Sequence, residues 1–156
     1  MRILVVSDTH GNENSLRRAL YEQPGTALVI HLGDGAREAG LIAGEIPQIN
    51  LKQVCGNCDW GYSRLLPEIG LEMVQGRRIF YTHGHRYGVK LGLGRLVSAA
   101  LERNADIVLF GHTHTPLIDN INGLHIVNPG SLTYKDTYAT VDITPQGISA
   151  NIKEIR

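Results

Sequence analysis

Short apolar runs that stop at a polar or glycine-rich loop organise the first third of the chain. Residues 3–6 (Ile-Leu-Val-Val) are continuously apolar and end at Ser7-Asp8, so they read as a strand buried on both faces. Leu16, Ala19 and Leu20 then share one face at helical spacing. Asn14 or Ser15 is the cap expected for that helix, and Pro24-Gly25 stops it. Residues 27–32 form a second buried strand entering Gly33-Asp34-Gly35, residues 36–43 a short helix, and residues 49–54 a third strand. The order βαβαβ implies a parallel sheet with helices packed on it.

Hairpin signals dominate the remainder. Residues 71–74 and 78–81 flank Gln75-Gly76-Arg77, and residues 117–121 and 124–127 are joined by Asn122-Gly123, the strongest short hairpin signal. Between them, residues 89–101 read as a helix weakened at its start by Gly92 and Gly94, and residues 107–110 as another buried strand. A final pair, 138–143 and 148–155, alternates apolar and polar residues across Pro145-Gln146-Gly147, so one of its faces is wet or covered by another element. Parallel βα units followed by hairpins point to two packed sheets with helices outside.

Length and charge narrow the class without naming it. A chain of 156 residues suits one domain, 1–156, with a real core. Fifteen basic residues balance fifteen acidic ones, which disfavours a dedicated nucleic-acid binder. No run approaches a membrane span. The two cysteines, Cys55 and Cys58, cannot build a disulfide framework, and no second C-x-x-C completes a zinc site. A redox role is the weaker reading because no helix signal follows the pair, and a reducing cytoplasm fits the free thiols.

The chemistry sits where the strands end. Asp8-Thr9-His10, Gly33-Asp34, Gly56-Asn57-Cys58-Asp59, His83-Gly84-His85 and Gly111-His112-Thr113-His114 each follow an apolar run. Any one of these residues alone is more simply a turn former or a surface histidine. Five polar strand ends in one small chain are hard to assign to turns, and open α/β sheets bind ligands at the carboxyl ends of their strands. Carboxylates, imidazoles and an amide together suit borderline or hard divalent ions such as manganese, iron, zinc, cobalt or nickel. His31 lies inside a strand and reads as structural, and His125 as an ordinary strand residue. Arg86, Tyr87 and Lys90 are as well explained by a solvated loop as by phosphate contacts. Trp60 and Tyr62 are read as packing residues in preference to the walls of a base-binding pocket.

Taken in order and spacing, these five motifs resemble those of the calcineurin-like metallophosphoesterases, most closely the small YfcE-like phosphodiesterases. Asn128-Pro129-Gly130-Ser131 also looks like the family's segment after the last histidine pair. The resemblance implies a four-layer α/β/β/α sandwich of two mixed β-sheets flanked by helices, with the site at the strand rim. It implies two divalent ions, manganese first among the options. Asp8, His10 and His114 would hold one, Asn57, His83 and His112 the other, and Asp34 would bridge them. The implied reaction is hydrolysis of a phosphoester, in particular a phosphodiester, by in-line attack of a hydroxide shared by the ions. Many relatives carry a histidine where this chain has Cys58, so the proton donor to the leaving group passes to Asp59, His85 or a bound water. Asp34, Asn57, Asp59 and His85 are therefore the catalytic candidates.

The expected partner is a small phosphoester, with no membrane and with a homo-oligomer allowed. The competing reading is a protein-binding scaffold on the same fold, as in the retromer complex. Such scaffolds typically lose ligands, whereas all seven are present here.

Overall fold

A computed structural model describes all residues, 1–156. The first sheet has the order β10-β9-β1-β2-β3 and the second β4-β5-β6-β8-β7. In the first, β1 (Arg2–Val6) lies parallel to β2 (Leu28–His31), and β2 parallel to β3 (Leu51–Gln53). The crossovers are α1 (Glu13–Glu22) and α2 (Ala36–Glu45). The antiparallel hairpin β9 (Thr137–Thr144) and β10 (Gly147–Glu154) joins the other edge of β1. In the second sheet, β4 (Ile69–Val74) and β5 (Arg77–Thr82) form a hairpin. α3 (Gly94–Glu102) carries the chain from β5 to the parallel β6 (Ile107–Phe110). The hairpin β7 (Leu117–Ile121) and β8 (Leu124–Asn128) places β8 parallel to β6.

Three apolar clusters hold four layers together. Ile3, Val5, Ile30, Ile79, Leu109 and Val141 belong to the largest, between the two sheets. Leu4, Val6, Leu16, Ala19, Ile42 and Tyr138 pack α1 and α2 on the first sheet. Phe80, Leu96, Ala100, Val108 and Phe110 pack α3 on the second. β1, β2 and β6 are buried on both faces, which explains their unbroken apolar runs. The expected α/β/β/α sandwich is therefore the observed one.

Several boundaries differ from the sequence reading. Asn12 caps α1, its side chain accepting from the Ser15 N–H at 3.1 Å, two residues before the expected cap. Residues 85–87 form a short 3₁₀ turn, and α3 starts only at Gly94. Gly92 at φ 151° breaks the segment where a continuous helix from 89 was expected. Of the last hairpin, β10 has the wet face, whereas β9 is buried on both because α1 covers Tyr138, Gln23 donating to the Tyr138 hydroxyl at 2.9 Å. No helix is long and apolar enough to cross a membrane.

Candidate metal centre

The loops that follow β1, β2, β3, β5 and β6 meet at one rim. Backbone bonds tie them together: Asp8 N–H to Gly33 C=O at 3.0 Å, His10 N–H to Asp34 C=O at 2.9 Å, and Gly111 N–H to His83 C=O at 3.0 Å. Gly56 and Gly111 must lack a side chain there. A Cβ at Gly56 would collide with the Asp34 carboxylate, and one at Gly111 with the Ser7 hydroxyl and the Asp8 carboxylate. The loops therefore approach closely enough for seven donor groups to converge.

On one side, Asp8 Oδ1 lies 3.1 Å from His114 Nε2 and 3.7 Å from His10 Nε2. On the other, His83 Nε2 lies 3.0 Å from Asn57 Oδ1 and 3.2 Å from His112 Nδ1. Asp34 Oδ2 stands between them, 3.4 Å from His83 Nε2 and 3.9 Å from His10 Nε2. Separations of this size suit atoms sharing an ion, whose bonds to such ligands are about 2.0–2.2 Å long. Three overlapping groups have ligand atoms close enough for a cation: Asp8-His10-His114, His10-Asp34-Cys58 and Asp8-Asp34-His83. Asn57 and His112 join the same cluster through His83.

Two features of the chain itself fit a cation. His10 Nε2 is buried and has no hydrogen-bond partner, although two carboxylates face it; such an orphan calls for an explanation. The backbone supplies the second. Nine residues other than glycine have positive φ, and five of them are Asp8, His10, Asp34, His112 and His114. Left-handed backbone is costly for such residues and concentrates at functional sites.

The electrostatics point the same way. Burial opposes charge on Asp34, but the hydrogen bond and charge of His83 and the N–H of Cys58 outweigh it and hold the carboxyl well below its usual range. Burial likewise opposes a proton on His83, and Asp34 and Asp8 reverse that, raising its pKa. The carboxylates thus draw positive charge to this spot. His112 is pushed down to about 4 by burial and by the charges of His83 and Lys90, which leaves its imidazole in the neutral form that ligates metals. His83 Nδ1 faces the Leu32 carbonyl at 2.8 Å; donation there leaves Nε2 free to ligate.

A supporting shell lay outside the motif reading. Ser7 donates to Asp8 Oδ2 at 2.5 Å, and the Ser131 hydroxyl to the Asp8 carbonyl at 2.8 Å. Thr133 donates to the Thr9 carbonyl at 2.6 Å, and Asn128 Nδ2 to the Gly111 carbonyl at 3.2 Å. Buried Glu38, on α2, accepts from Thr9 Oγ1 at 2.7 Å and Gly11 N–H at 2.6 Å. His31 is structural as expected, accepting from Gly33 N–H and facing Thr9 Oγ1. Tyr134 stacks on His114, centroids 4.9 Å apart and planes at 20°, and tilts against His10. Only the segment around Asn128 and Ser131 had a signal in the sequence; Glu38 and Tyr134 reach the site through tertiary packing.

The remaining candidates separate. The Asp59 carboxylate accepts four backbone N–H groups: Gly35 and Ala36 on Oδ1 at 2.9 and 2.8 Å, Asp34 and Gly56 on Oδ2 at 2.8 Å each. With every lone-pair direction occupied, it is placed as a girder for two loops and a cap for α2, which does not suit the proton donor expected of it. His85 is close to the cluster, its ring 5.3 Å from that of His83, and its buried Nδ1 has no partner. Arg86 pairs with Glu68 at 2.5 Å, and Tyr87 packs edge-on against Phe80. Trp60 departs from the packing reading: it is 86% exposed.

Cys58 is exposed, accepts from Asn57 Nδ2 at 3.2 Å, and gives its N–H to Asp34 Oδ1 at 2.7 Å. Partial desolvation of the sulfur and the charge of Asp34 push the thiol up to about 11, so in the metal-free chain it is neutral at physiological pH. We predict that metal-free protein reacts with iodoacetamide at pH 8 about tenfold or more slowly than free cysteine, the rate climbing until about pH 11. Mass spectrometry of Cys58 across pH checks this; a plateau near pH 8 would show an activated thiolate.

The model of the calcineurin-like phosphoesterase superfamily domain matches residues 1–146. The chain belongs to that family. It is 35% identical over 136 residues to the probable metallophosphoesterase YsnB of Bacillus subtilis, covering 85% of this chain and 75% of that protein. It is 27% identical over 154 residues to the phosphodiesterase YfcE of Escherichia coli K12, covering 85% and 80%. The structure of Vacuolar Protein Sorting 29 from Cryptosporidium parvum superposes with a TM-score of 0.76 at 16% identity, over 97% of this chain and 96% of that one. That likeness concerns the fold alone. As a member of that family, this chain is a metal-dependent phosphoesterase.

Proposed function

We propose that this phosphoesterase hydrolyses a phosphodiester at a two-metal centre, with Asp8, His10 and His114 on one ion, Asn57, His83 and His112 on the other, and Asp34 between them. The observation that carries the reading is the convergence of those seven donors on one rim, a buried, unpartnered His10 nitrogen among them. Divalent ions, manganese by preference, would polarise the phosphoryl oxygens and supply a nucleophilic water of lowered pKa. The chain does the rest. Asn57 contributes an amide oxygen without adding negative charge. Ser7, Ser131 and Glu38 fix the first loop, and Asp59 fixes the second and third together. A reaction run by metal-activated water leaves the Cys58 thiol no covalent task. His85 lines a cleft beside the cluster, its ring 5.3 Å from that of His83, and is the imidazole available to assist a leaving oxygen; burial followed by the charges of His83 and Arg86 lowers its pKa. A largely neutral imidazole protonates weakly, so esters with good leaving groups are favoured.

A scaffold role gains no specific support, since the ligand set is complete. The same proposal takes residues 1–156 as one catalytic domain working in the cytoplasm, where free Cys55 and Cys58 fit a reducing medium. Calorimetric titration of chelator-treated protein should give two divalent ions per chain. The manganese-loaded protein should then hydrolyse bis(4-nitrophenyl) phosphate faster than 4-nitrophenyl phosphate, and excess chelator should abolish both. Absence of transition-metal binding would remove the proposal, and equal or reversed rates would assign the site to monoesters.

A further inference from the structure

Two clefts open from the metal centre, one on each side of the turn that carries Trp60. The first, about 370 Å³, includes His10, Asp34, Arg37, Trp60 and Tyr62. The second, about 400 Å³, includes Asn57, Ser63, Glu68, His85 and Arg86, and Trp60 also borders it. Both are large enough for a small organic group. A phosphodiester held at the ligand cluster sends two arms away from phosphorus, and the molecule offers one cleft to each.

The clefts are chemically unequal. Arg86 is neutralised by Glu68 at 2.5 Å in the second. In the first, Arg37 faces only Glu13, at 3.8 Å, and its side chain is 65% exposed. Trp60 rises beside it, the chain's only tryptophan and a large aromatic side chain left 86% in solvent. Its backbone is not loose: Trp60 N–H donates to the Cys58 carbonyl at 2.9 Å, directly after the residue whose carboxylate binds four N–H groups. An indole held out on a fixed turn, with a phenol and a guanidinium beside the same cleft, makes a stacking platform for a planar base.

We propose that the Trp60 cleft binds the nucleoside arm of the substrate, so that the chain selects nucleoside phosphodiesters, the base stacking on Trp60 with Arg37 alongside. This rests on the phosphoesterase reading and goes further by naming the substrate class. The second cleft, polar and with its guanidinium already paired, takes the smaller arm beside His85.

Because the tryptophan is single, its emission reports on the turn between the two clefts, and a quench weakened in Arg37→Ala assigns the base to the first. Manganese-loaded protein titrated with thymidine 5′-monophosphate should show a saturable quench, and titration with inorganic phosphate should not. In hydrolysis, wild-type protein should prefer thymidine 5′-(4-nitrophenyl phosphate) over methyl 4-nitrophenyl phosphate. Trp60→Ala should lower that ratio of kcat/KM about tenfold, mostly through KM, and Trp60→Phe should restore most of it. Arg37→Ala should reduce the ratio by a smaller factor. Failure to hydrolyse either diester would refute the phosphodiesterase reading, and the emission titration would still decide the stacking. No saturable quench by thymidine 5′-monophosphate, or a ratio unaltered in Trp60→Ala, overturns the proposal.

Discussion

Asp34→Asn is expected to lower kcat by about 10³-fold or more while leaving the fold in place. Asp34 is the carboxylate that faces both halves of the ligand set, 3.9 Å from His10 Nε2 and 3.4 Å from His83 Nε2. Its other oxygen accepts the Cys58 N–H at 2.7 Å. An amide cannot serve both tasks. If its oxygen stays with Cys58, the –NH₂ group points at the ligand nitrogens and repels any cation there. If it turns, the Cys58 N–H loses its acceptor and the loop carrying Asn57 loosens. Loss of the charge also removes part of what raises the pKa of His83 in the metal-free chain, leaving Asp8 and the Leu32 carbonyl. The measurement is kcat on a diester with metal content determined on the same sample and circular dichroism as the check on folding. Near-native kcat at full occupancy would mean that Asp34 is not the shared ligand.

Much of this site could be read from the order of residues because the fold puts chemistry where apolar runs stop. β1, β2 and β6 are buried on both faces, so each end is marked by an abrupt change to Asp8, Gly33-Asp34 or Gly111-His112. Parallel strands direct those ends to one rim, which is why ligands separated by more than a hundred residues, such as Asp8 and His114, meet. Helix starts were less legible. Asn12, Asn14 and Ser15 are all competent caps, and the choice of Asn12 follows from where the loop leaves Gly11, which Glu38 holds from α2. That contact depends on the packing of two helices and has no local signature.

Trp60 and Asp59 show the opposite failures. A tryptophan is most economically assigned to a core, and nothing in its neighbours reveals that the turn after Asp59 points it into solvent. An aspartate in a ligand-rich motif is readily taken for an acid, because its four backbone partners come from two segments, residues 34–36 and Gly56, that only the fold brings together. The left-handed residues carry a similar lesson. Asp8, Asp34 and His112 are held at φ 54°, 56° and 66° by bonds between loops, a strain that local propensity argues against and only the assembled rim sustains.

The role of Asp59 yields the second large effect. Its two oxygens each accept two N–H groups, one pair at the start of α2 and the other at Asp34 and Gly56. Removing the carboxylate in Asp59→Ala leaves four buried donors without partners, and an unsatisfied buried donor costs about 1–3 kcal/mol. Water can reach part of the site, so a loss of about 3 kcal/mol or more is expected instead of the full sum. Asp59→Asn should fall between, since its oxygen can keep one pair while its –NH₂ opposes the other. Both loops carrying Asp34 and Asn57 lose their common anchor, so divalent-metal affinity should drop about 10–100-fold, as when a partner behind a ligand is removed. Urea unfolding of the metal-free variants gives the stability term, and metal titration gives the affinity. An acid–base role predicts a different pattern: native stability and metal binding in Asp59→Asn, with the loss confined to kcat and greatest for diesters with basic leaving groups. Equal losses across leaving groups, together with lowered stability and metal affinity, identify Asp59 as the residue that holds the two loops in register.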